Sequence, residues 1–347
     1  MSESTRAAQL SEAEALAHVR SLFEIYRHGV VFHFICALTR LGVFDAVEAC
    51  GGEVEIDRLA DELTLDRNAL IRSLHLLAAH GVTRVSAGRV SLQGAGALLT
   101  SSAPFSLKAT FATPGISDVG NEVEHTIRTG EQSFELARGE GFWSFLHSNP
   151  DREALFHQAM REQSRLMGMP SVPLLDWPDA GTVVDIAGGS GSFLAAVLQE
   201  QPGLRGILLD RPAAVAAATK LFEFEGLDDR ASARVGDLFV PPPPGELFVL
   251  SRVLHDWSDD EVRTVLAGIR RSARAGVRLR VLEELLDHDT LPSPEQAWSD
   301  AVMMVLYQGG HERTESDYRS LLAETGWRVV DVFTGLPGMS VLDALAV

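Results

Sequence analysis

The sequence predicts an α/β protein, with a doubly wound, Rossmann-like C-terminal domain behind an α-helical, winged-helix N-terminal domain. Three observations carry that prediction. The run Val183-Val-Asp-Ile-Ala-Gly-Gly-Ser-Gly191 reads as a strand buried on both faces that ends in a glycine turn, and Phe193 to Gln199 continue as a helix with an apolar face. Asp210 follows Gly191 by nineteen residues and closes a second apolar run, Gly206-Ile-Leu-Leu. An acid at the end of a second strand is where a ribose diol is held. Between Ile56 and Leu92 two short helices and a hairpin succeed one another, which is the rhythm of a winged helix.

Taken in order, Met1 to Leu10 is polar and expected to fray. Ser11 to Arg40 is helical in pattern, with Leu16, Val19, Leu22, Phe23 and Tyr26 at helical spacing and Val30, Val31, Phe34, Ile35 and Leu38 beyond them. That is more apolar surface than one small domain uses, so the helix is expected to form a homodimer interface. Ile56 to Leu63 is a short amphipathic helix, and Asp66 caps a second over Arg67 to His80, ended by Gly81 in the left-handed region. Val82 to Leu92 is a hairpin turned by Ala87-Gly88. Winged helices often bind DNA, but residues 1 to 100 hold nine basic and twelve acidic side chains, 9 − 12 = −3. Phosphate contacts need clustered Lys and Arg. The whole chain carries −18, which argues against nucleic acid or an acidic membrane surface as partner. The most apolar early stretch, Gly29 to Leu38, contains His33 and meets Arg40, too short and polar to cross a bilayer. Cys36 and Cys50 lack Cys-x-x-Cys spacing and fit a reducing, cytoplasmic setting.

Three domains are expected, over residues 1–105, 106–176 and 177–347, the middle one a helical connector contributing to a substrate cleft. Its loops fall at Pro104, Pro114 and Gly139-Glu-Gly141. Phe142-Trp-Ser-Phe-Leu146 and Leu155 to Met160 bring aromatics, His157 and Met160 to the junction with the nucleotide domain.

That domain departs from the dinucleotide fingerprint, because Leu194 stands where Gly-x-Gly-x-x-Gly needs its third glycine. Asp185, directly before the turn, would repel a pyrophosphate but suits the ammonium of an amino-acid-bearing nucleoside, which points to S-adenosylmethionine. The helix Ala213 to Glu225 leads to a third strand near Ala233 to Phe239, with Asp237 at its end to meet an adenine amino group. Pro241 to Pro244 makes a stiff loop. The fourth strand, Glu246 to Ser251, runs straight into Arg252-Val-Leu-His255-Asp-Trp257. A histidine past the carboxyl end of a parallel strand lies where doubly wound folds bind substrates. Ser258 caps the helix Asp259 to Ala273, so Asp256, Asp259, Asp260 and Glu261 read as capping acids rather than a metal site. Arg278 to Leu282 is a fifth strand ending in Glu283 and Glu284, and Tyr307 to Thr314 is a glycine loop carrying Glu312 into the helix Glu315 to Thr325. On spacing alone, Glu283 and Glu312 are either surface carboxylates or partners of His255 in an acid–base site.

Val183 to Gly191, Leu209-Asp-Arg-Pro212, Gly236-Asp-Leu-Phe239, Leu254-His-Asp-Trp-Ser-Asp259 and Gly309-Gly-His-Glu-Arg-Thr314 stand in an order that resembles one family. It is the S-adenosylmethionine-dependent small-molecule O-methyltransferases, of the plant caffeate-type and bacterial antibiotic-tailoring kinds, and the similarity covers nearly the whole chain. The resemblance implies a class I methyltransferase domain and an N-terminal half that dimerises. It implies His255 as general base, flanked by Glu283 and Glu312. Cofactor contacts are implied at Asp185, Gly188, Gly189, Asp210, Arg211, Gly236, Asp237, Leu238, Phe239, Ser251 and Arg252. Met160, Trp257, Asp300, Met303 and Met304 are implied near a small aromatic substrate. Two departures stand out: Ala187 replaces a common glycine, a small change expected to be tolerated, and Ser251 occupies a place where plant members carry lysine.

The expected reaction is in-line methyl transfer to a phenolic hydroxyl, without a metal, releasing S-adenosylhomocysteine. A histidine of ordinary pKa ~6.5 would take the phenol proton at neutral pH. Related N- and C-methyltransferases and a hydroxylase-like relative leave the acceptor atom open. A winged-helix ligand-sensing regulator is the reading from a different class.

Overall fold

Ser11 caps the first helix, Glu12–Arg40, its hydroxyl accepting from the Glu14 amide at 3.3 Å while the Glu14 carboxylate returns to the Ser11 amide at 2.8 Å. The computed structural model describes residues 11–113, 115–120, 122–287, 290–336 and 338–347. The frayed start expected at Met1 to Leu10 and the loop expected at Pro114 lie outside them. Two compact units divide between Ala112 and Thr113.

In the first unit, Val31, Cys36 and Leu38 are buried near the end of the long helix, while Leu16, Leu22, Phe23, Ile25 and Tyr26 are exposed. The helices Ile56–Glu62 and Arg67–Ala78 pack Leu59, Leu70, Leu74 and Leu77 against Val43, Phe44 and Val47. Asp66 caps the second, its carboxylate accepting from the Ala69 amide at 2.7 Å. The wing is turned by Ala87 and Gly88, both with positive φ, the geometry that matches strand twist. It gains a third strand that sequence reading did not draw, Glu53–Glu55, paired to Arg89–Leu92.

The second unit is built on seven strands: β1 (Gly181–Ile186), β2 (Leu204–Asp210), β3 (Ala231–Val235), β4 (Leu247–Ser251), β5 (Arg278–Glu283), β6 (Trp327–Leu336) and β7 (Met339–Ala346). Their order is β3-β2-β1-β4-β5-β7-β6, parallel except that β7 runs antiparallel to both its neighbours. Alternate residues feed two cores. Val184, Ile186, Phe248, Leu250 and Val281 meet the helix Asp259–Ser272 on one face. Val183, Leu208, Leu247 and Val249 meet Phe193, Leu194 and Leu198 on the other. Each such fully buried side chain contributes roughly 1.5–3 kcal/mol. The strand order reverses between β1 and β4, and ligands bind beyond the carboxyl ends at such a switch point. Asp185, Asp210, Ser251 and Glu283 all fall there.

The third strand differs from its expected span. It ends at Val235, and Asp237 lies beyond it with its carboxylate accepting from the Phe239 amide at 2.9 Å. An aspartate that bonds the backbone two residues on makes a turn, which halts the strand.

Candidate active site

β1 delivers Asp185 into a fully buried position, where neither carboxylate oxygen has a partner among the described residues. Burial, helped by the nearby Asp210 carboxylate, pushes Asp185 up to about 7. Gly188 is obligatory beside it, since a Cβ would stand 2.3 Å from the Asp185 Oδ2. Ala187 holds φ +56°, a left-handed conformation that costs a non-glycine residue roughly 1–2 kcal/mol, so the departure from glycine is tolerated with strain. Asp210, at the end of β2, accepts from the Gly189 amide at 2.7 Å and the Arg211 amide at 2.6 Å. Burial still holds its carboxyl above the usual range. Both oxygens are thereby oriented, and each keeps a lone pair for a ligand hydroxyl.

The helix α1 (Pro150–Leu166) closes over this edge. Its buried Glu153 pairs with Arg211 at 2.7 Å, and one turn on, the His157 Nε2 lies 3.9 Å from Glu153. Burial keeps His157 below its ordinary value, outweighing the attraction of Asp210 and Glu153. Arg211 also lies over the Trp143 ring at 5.8 Å. Trp143 stacks on Trp257 within 6° of parallel, with centroids 6.2 Å apart, and Trp257 meets Phe239 edge-on at 4.9 Å. Trp257 was expected beside the substrate; it packs against Phe239, which was expected beside the cofactor. A half-open cavity of about 150 Å³ is walled by Trp143, Asp256, Trp257 and Tyr307. The sequence brought Trp143 and His157 to the domain junction without assigning them a contact, and Glu153 went unflagged, marked only by its i, i+4 spacing to His157.

Beyond β4, Ser251 is half-buried and Arg252 adopts φ +55°, strain typical of functional loops. The Arg252 Nη1 meets the Met167 sulfur at 3.4 Å, a weak acceptor that leaves the guanidinium capacity to spare. A single turn, Leu254–Asp256, then carries His255, which is 4% exposed. Its Nδ1 stands 2.9 Å from the Glu312 Oε1 and 3.6 Å from the Glu283 Oε2, while its Nε2 faces Asp256 at 3.6 Å. The two glutamates divide the work. Glu312 bonds the ring and accepts from the Ser299 hydroxyl at 2.7 Å, and its own amide donates to Asp300 at 2.9 Å. Glu283 accepts from the Val253 and Leu254 amides at 3.0 and 2.8 Å, so it holds the turn itself.

Burial opposes charge on His255, but Glu283, Asp256 and Glu312 together outweigh it and raise the imidazole to about 9. This replaces the ordinary value assumed from sequence. Burial lifts Asp256 to about 7 and also raises Glu283; in Glu312 the bond and charge of His255 overcome burial and lower it. The resting pair is therefore imidazolium and Glu312 carboxylate. In the neutral ring, Nδ1–H pointing at Glu312 would leave Nε2 as the acceptor. One atom each from His255, Glu283 and Glu312 lies within 4.8 Å of the others, a separation a metal could also use. The charge-assisted hydrogen bond between His255 and Glu312 accounts for that closeness.

Met160 and Met303 are brought into one cluster with Phe142, Phe156, Val302 and Tyr307. Met304 is not, because a helix turns about 100° per residue and leaves it 41% exposed on the other face. Asp300 is engaged with the Glu312 amide rather than free. Gly236 and Leu238 are half-buried and Asp237 is exposed at the end of β3.

The family model of the O-methyltransferase domain matches residues 121–328. The O-demethylpuromycin-O-methyltransferase of Streptomyces alboniger is 38% identical over 301 residues, 83% of this chain and 79% of that protein. The solved structure of the mitomycin 7-O-methyltransferase superimposes with a TM-score of 0.89 at 31% identity, covering 97% of this chain and all (100%) of that one. An O-methyltransferase from neocarzinostatin biosynthesis, solved with S-adenosylmethionine and 2-hydroxy-5-methyl naphthoic acid, has a TM-score of 0.79 at 27% identity, covering 90% of this chain and 95% of that one.

Proposed function

The chain belongs to the O-methyltransferase family, and from that membership we propose that it methylates a phenolic hydroxyl of a small aromatic natural-product intermediate, using S-adenosylmethionine, with His255 as general base. The observation that carries the base is the buried His255 whose Nδ1 is taken by Glu312 while its Nε2 is not. The observation that carries the cofactor is the orphaned carboxylate of Asp185, which lacks a cation. Asp185 would meet the ammonium, Arg252 the carboxylate and Asp210 the ribose diol. Asp237, Phe239 and Trp257 would hold the adenine, with Gly188 and Gly189 allowing close approach. When bound, S-adenosylmethionine supplies an electrophilic methyl group. The protein's share is to align the acceptor and to remove its proton.

A phenol of pKa about 10 is a poor nucleophile until it is ionised. With His255 raised to about 9, most rings carry a proton at pH 7, so the base-competent fraction grows as pH rises. Phe142, Phe156, Met160 and Met303 offer a flat acceptor aromatic edges and adaptable thioethers. The relative from neocarzinostatin biosynthesis was solved with a planar hydroxylated naphthoate, which supports that acceptor class. The apolar surface of Glu12–Arg40 supports a homodimer. Among the described residues no single helix is long and apolar enough to cross a membrane.

The test is transfer of labelled methyl from S-adenosylmethionine to a panel of phenols. His255→Ala should lower kcat by roughly 10²-fold or more on a neutral phenol and leave cofactor affinity nearly unchanged. The wild-type rate should climb with pH towards about 9, where the imidazole loses its proton, rather than level off near ~6.5. A variant as fast as wild type on a neutral phenol would remove the base assignment.

A further inference from the structure

Next to Glu312 stands Arg313, whose side chain is 0% exposed. Its Nη1 donates to the Leu254 carbonyl at 2.9 Å and its Nη2 to the Trp257 carbonyl at 2.7 Å. Those two residues bracket His255-Asp256. Its Nε donates at 2.9 Å to Asp259, the first residue of the following helix. Burying a guanidinium is costly unless its charge is paired and its donors are used, and an apolar side chain of similar volume commonly supports a fold as well or better. The partner carboxylate, Asp259, is 49% exposed, so neutralisation is incomplete. Packing alone therefore gives no reason for arginine here.

The geometry gives one. A turn of three residues closes little of its own backbone: the Leu254 carbonyl accepts from the Trp257 amide at a long 3.2 Å. Arg313 adds a second bond to the Leu254 carbonyl and takes that of Trp257 just past the turn, and the His311 amide takes that of His255 at 2.9 Å. Gly310 permits the approach, since a Cβ there would lie 3.0 Å from the His255 carbonyl oxygen. Arg313-Thr314 pair in parallel with Leu285-Leu286, just past β5, so the clamp is anchored to the strand that supplies Glu283. Glu312 then reaches the imidazole from the same short segment. We propose that Arg313 is a positioning residue, fixing the turn that carries His255 against the segment that carries Glu312 so that ring and carboxylate stay in contact. The inference rests on the reading of His255 as base.

The imidazole faces Asp256 on its own turn, Glu283 at the end of β5 with Glu284 just past it, and Glu312, with Arg252 and Tyr307 beyond Asp256. Loosening the clamp chiefly lengthens the contact to Glu312, which helps keep the proton on His255. The experiment follows the full-length protein by nitrogen-15 histidine NMR titration, with His255→Ala to assign the signal, beside calorimetry with S-adenosylmethionine. Arg313→Met should bind the cofactor within about three-fold of wild type, yet its His255 midpoint should fall by about one pH unit, a ten-fold weaker hold on the proton. Arg313→Lys, which keeps the charge and one donor group, should recover part of that shift. An unmoved midpoint in a cofactor-binding Arg313→Met overturns the proposal. Should that variant not bind cofactor, Arg313→Gln, which removes the charge and the fork, takes its place, and an unmoved midpoint there overturns it equally. The base reading fails separately, if His255→Ala methylates 2-naphthol as fast as wild type.

Discussion

At the scale of single residues, Asp185 is a buried carboxylate, 1% exposed, with no partner among the described residues. Burying an unpaired carboxylate costs stability, which a cationic ligand would offset. Its carboxyl, raised to about 7 from an ordinary ~3.9, favours the folded state while protonated and withdraws that help as pH rises through 7. Asp185→Asn should therefore raise the melting temperature of the ligand-free protein at pH 8, and weaken S-adenosylmethionine by at least about ten-fold in calorimetry. A variant that binds as tightly as wild type would show that the ammonium is held elsewhere. The sequence placed Asp185 ahead of the glycine turn, but its burial without a partner among the described residues needed the fold. The state of His255 was not legible. Its basicity depends on three carboxylates that arrive from its own turn, from β5 and from the segment after the helix Pro294–Leu306, and spacing alone does not bring them together.

At the scale of elements, the strand–turn–helix from Gly181 to Glu200 was readable because β-branched residues, glycines and good helix formers each narrow the choice of conformation in the same direction. The end of β3 was not, since Leu238 and Phe239 look like strand while Asp237 has bonded the backbone into a turn. The division of Met303 from Met304 needed only the helical period, but the sequence did not say which face met the cluster. In α1 the sequence pointed to His157 and Met160 but missed Glu153. Glu153 lies far along the chain from Arg211, and nothing local marks the pair. That ion pair is buried on the glutamate side and steadies the residue whose amide orients Asp210. Removing one partner of a buried pair leaves the other uncompensated. Glu153→Gln is expected to weaken cofactor binding several-fold or more through a displaced Arg211, with the circular dichroism spectrum unchanged. Calorimetry showing wild-type affinity would mean that Asp210 is held by its backbone contacts alone.

At the scale of the whole molecule, two properties pull in opposite directions with pH. Activity should rise as His255 loses its proton, whereas the raised groups lose stability over the same range. Asp185 and Asp256 contribute stability fully below ~4 and lose it as pH passes about 7; His255 contributes below ~6.5 and loses it through about 9. The ligand-free protein should thus melt several degrees lower at pH 9 than at pH 6, and equal melting temperatures would deny that these groups are perturbed together. Assembly is the other property. Leu22, Phe23, Ile25 and Tyr26 on the first helix are 57–70% exposed in the single chain, interspersed with exposed charged residues such as Arg20 and Glu24. Water disfavours exposed apolar side chains, and a second copy of the same helix under two-fold symmetry is the cover we expect for them. Light scattering should give about twice the 37.6 kDa of one chain. Leu22 and Tyr26 lie one turn apart at 66% and 70% exposure, so glutamate at both would not disturb the core of a lone chain. In a dimer the same charges would be desolvated without partners, at several kcal/mol. The double substitution Leu22→Glu with Tyr26→Glu should yield a folded monomer of one chain mass. A wild-type protein that is already monomeric at micromolar concentration, or a double variant that stays dimeric, would place the interface elsewhere.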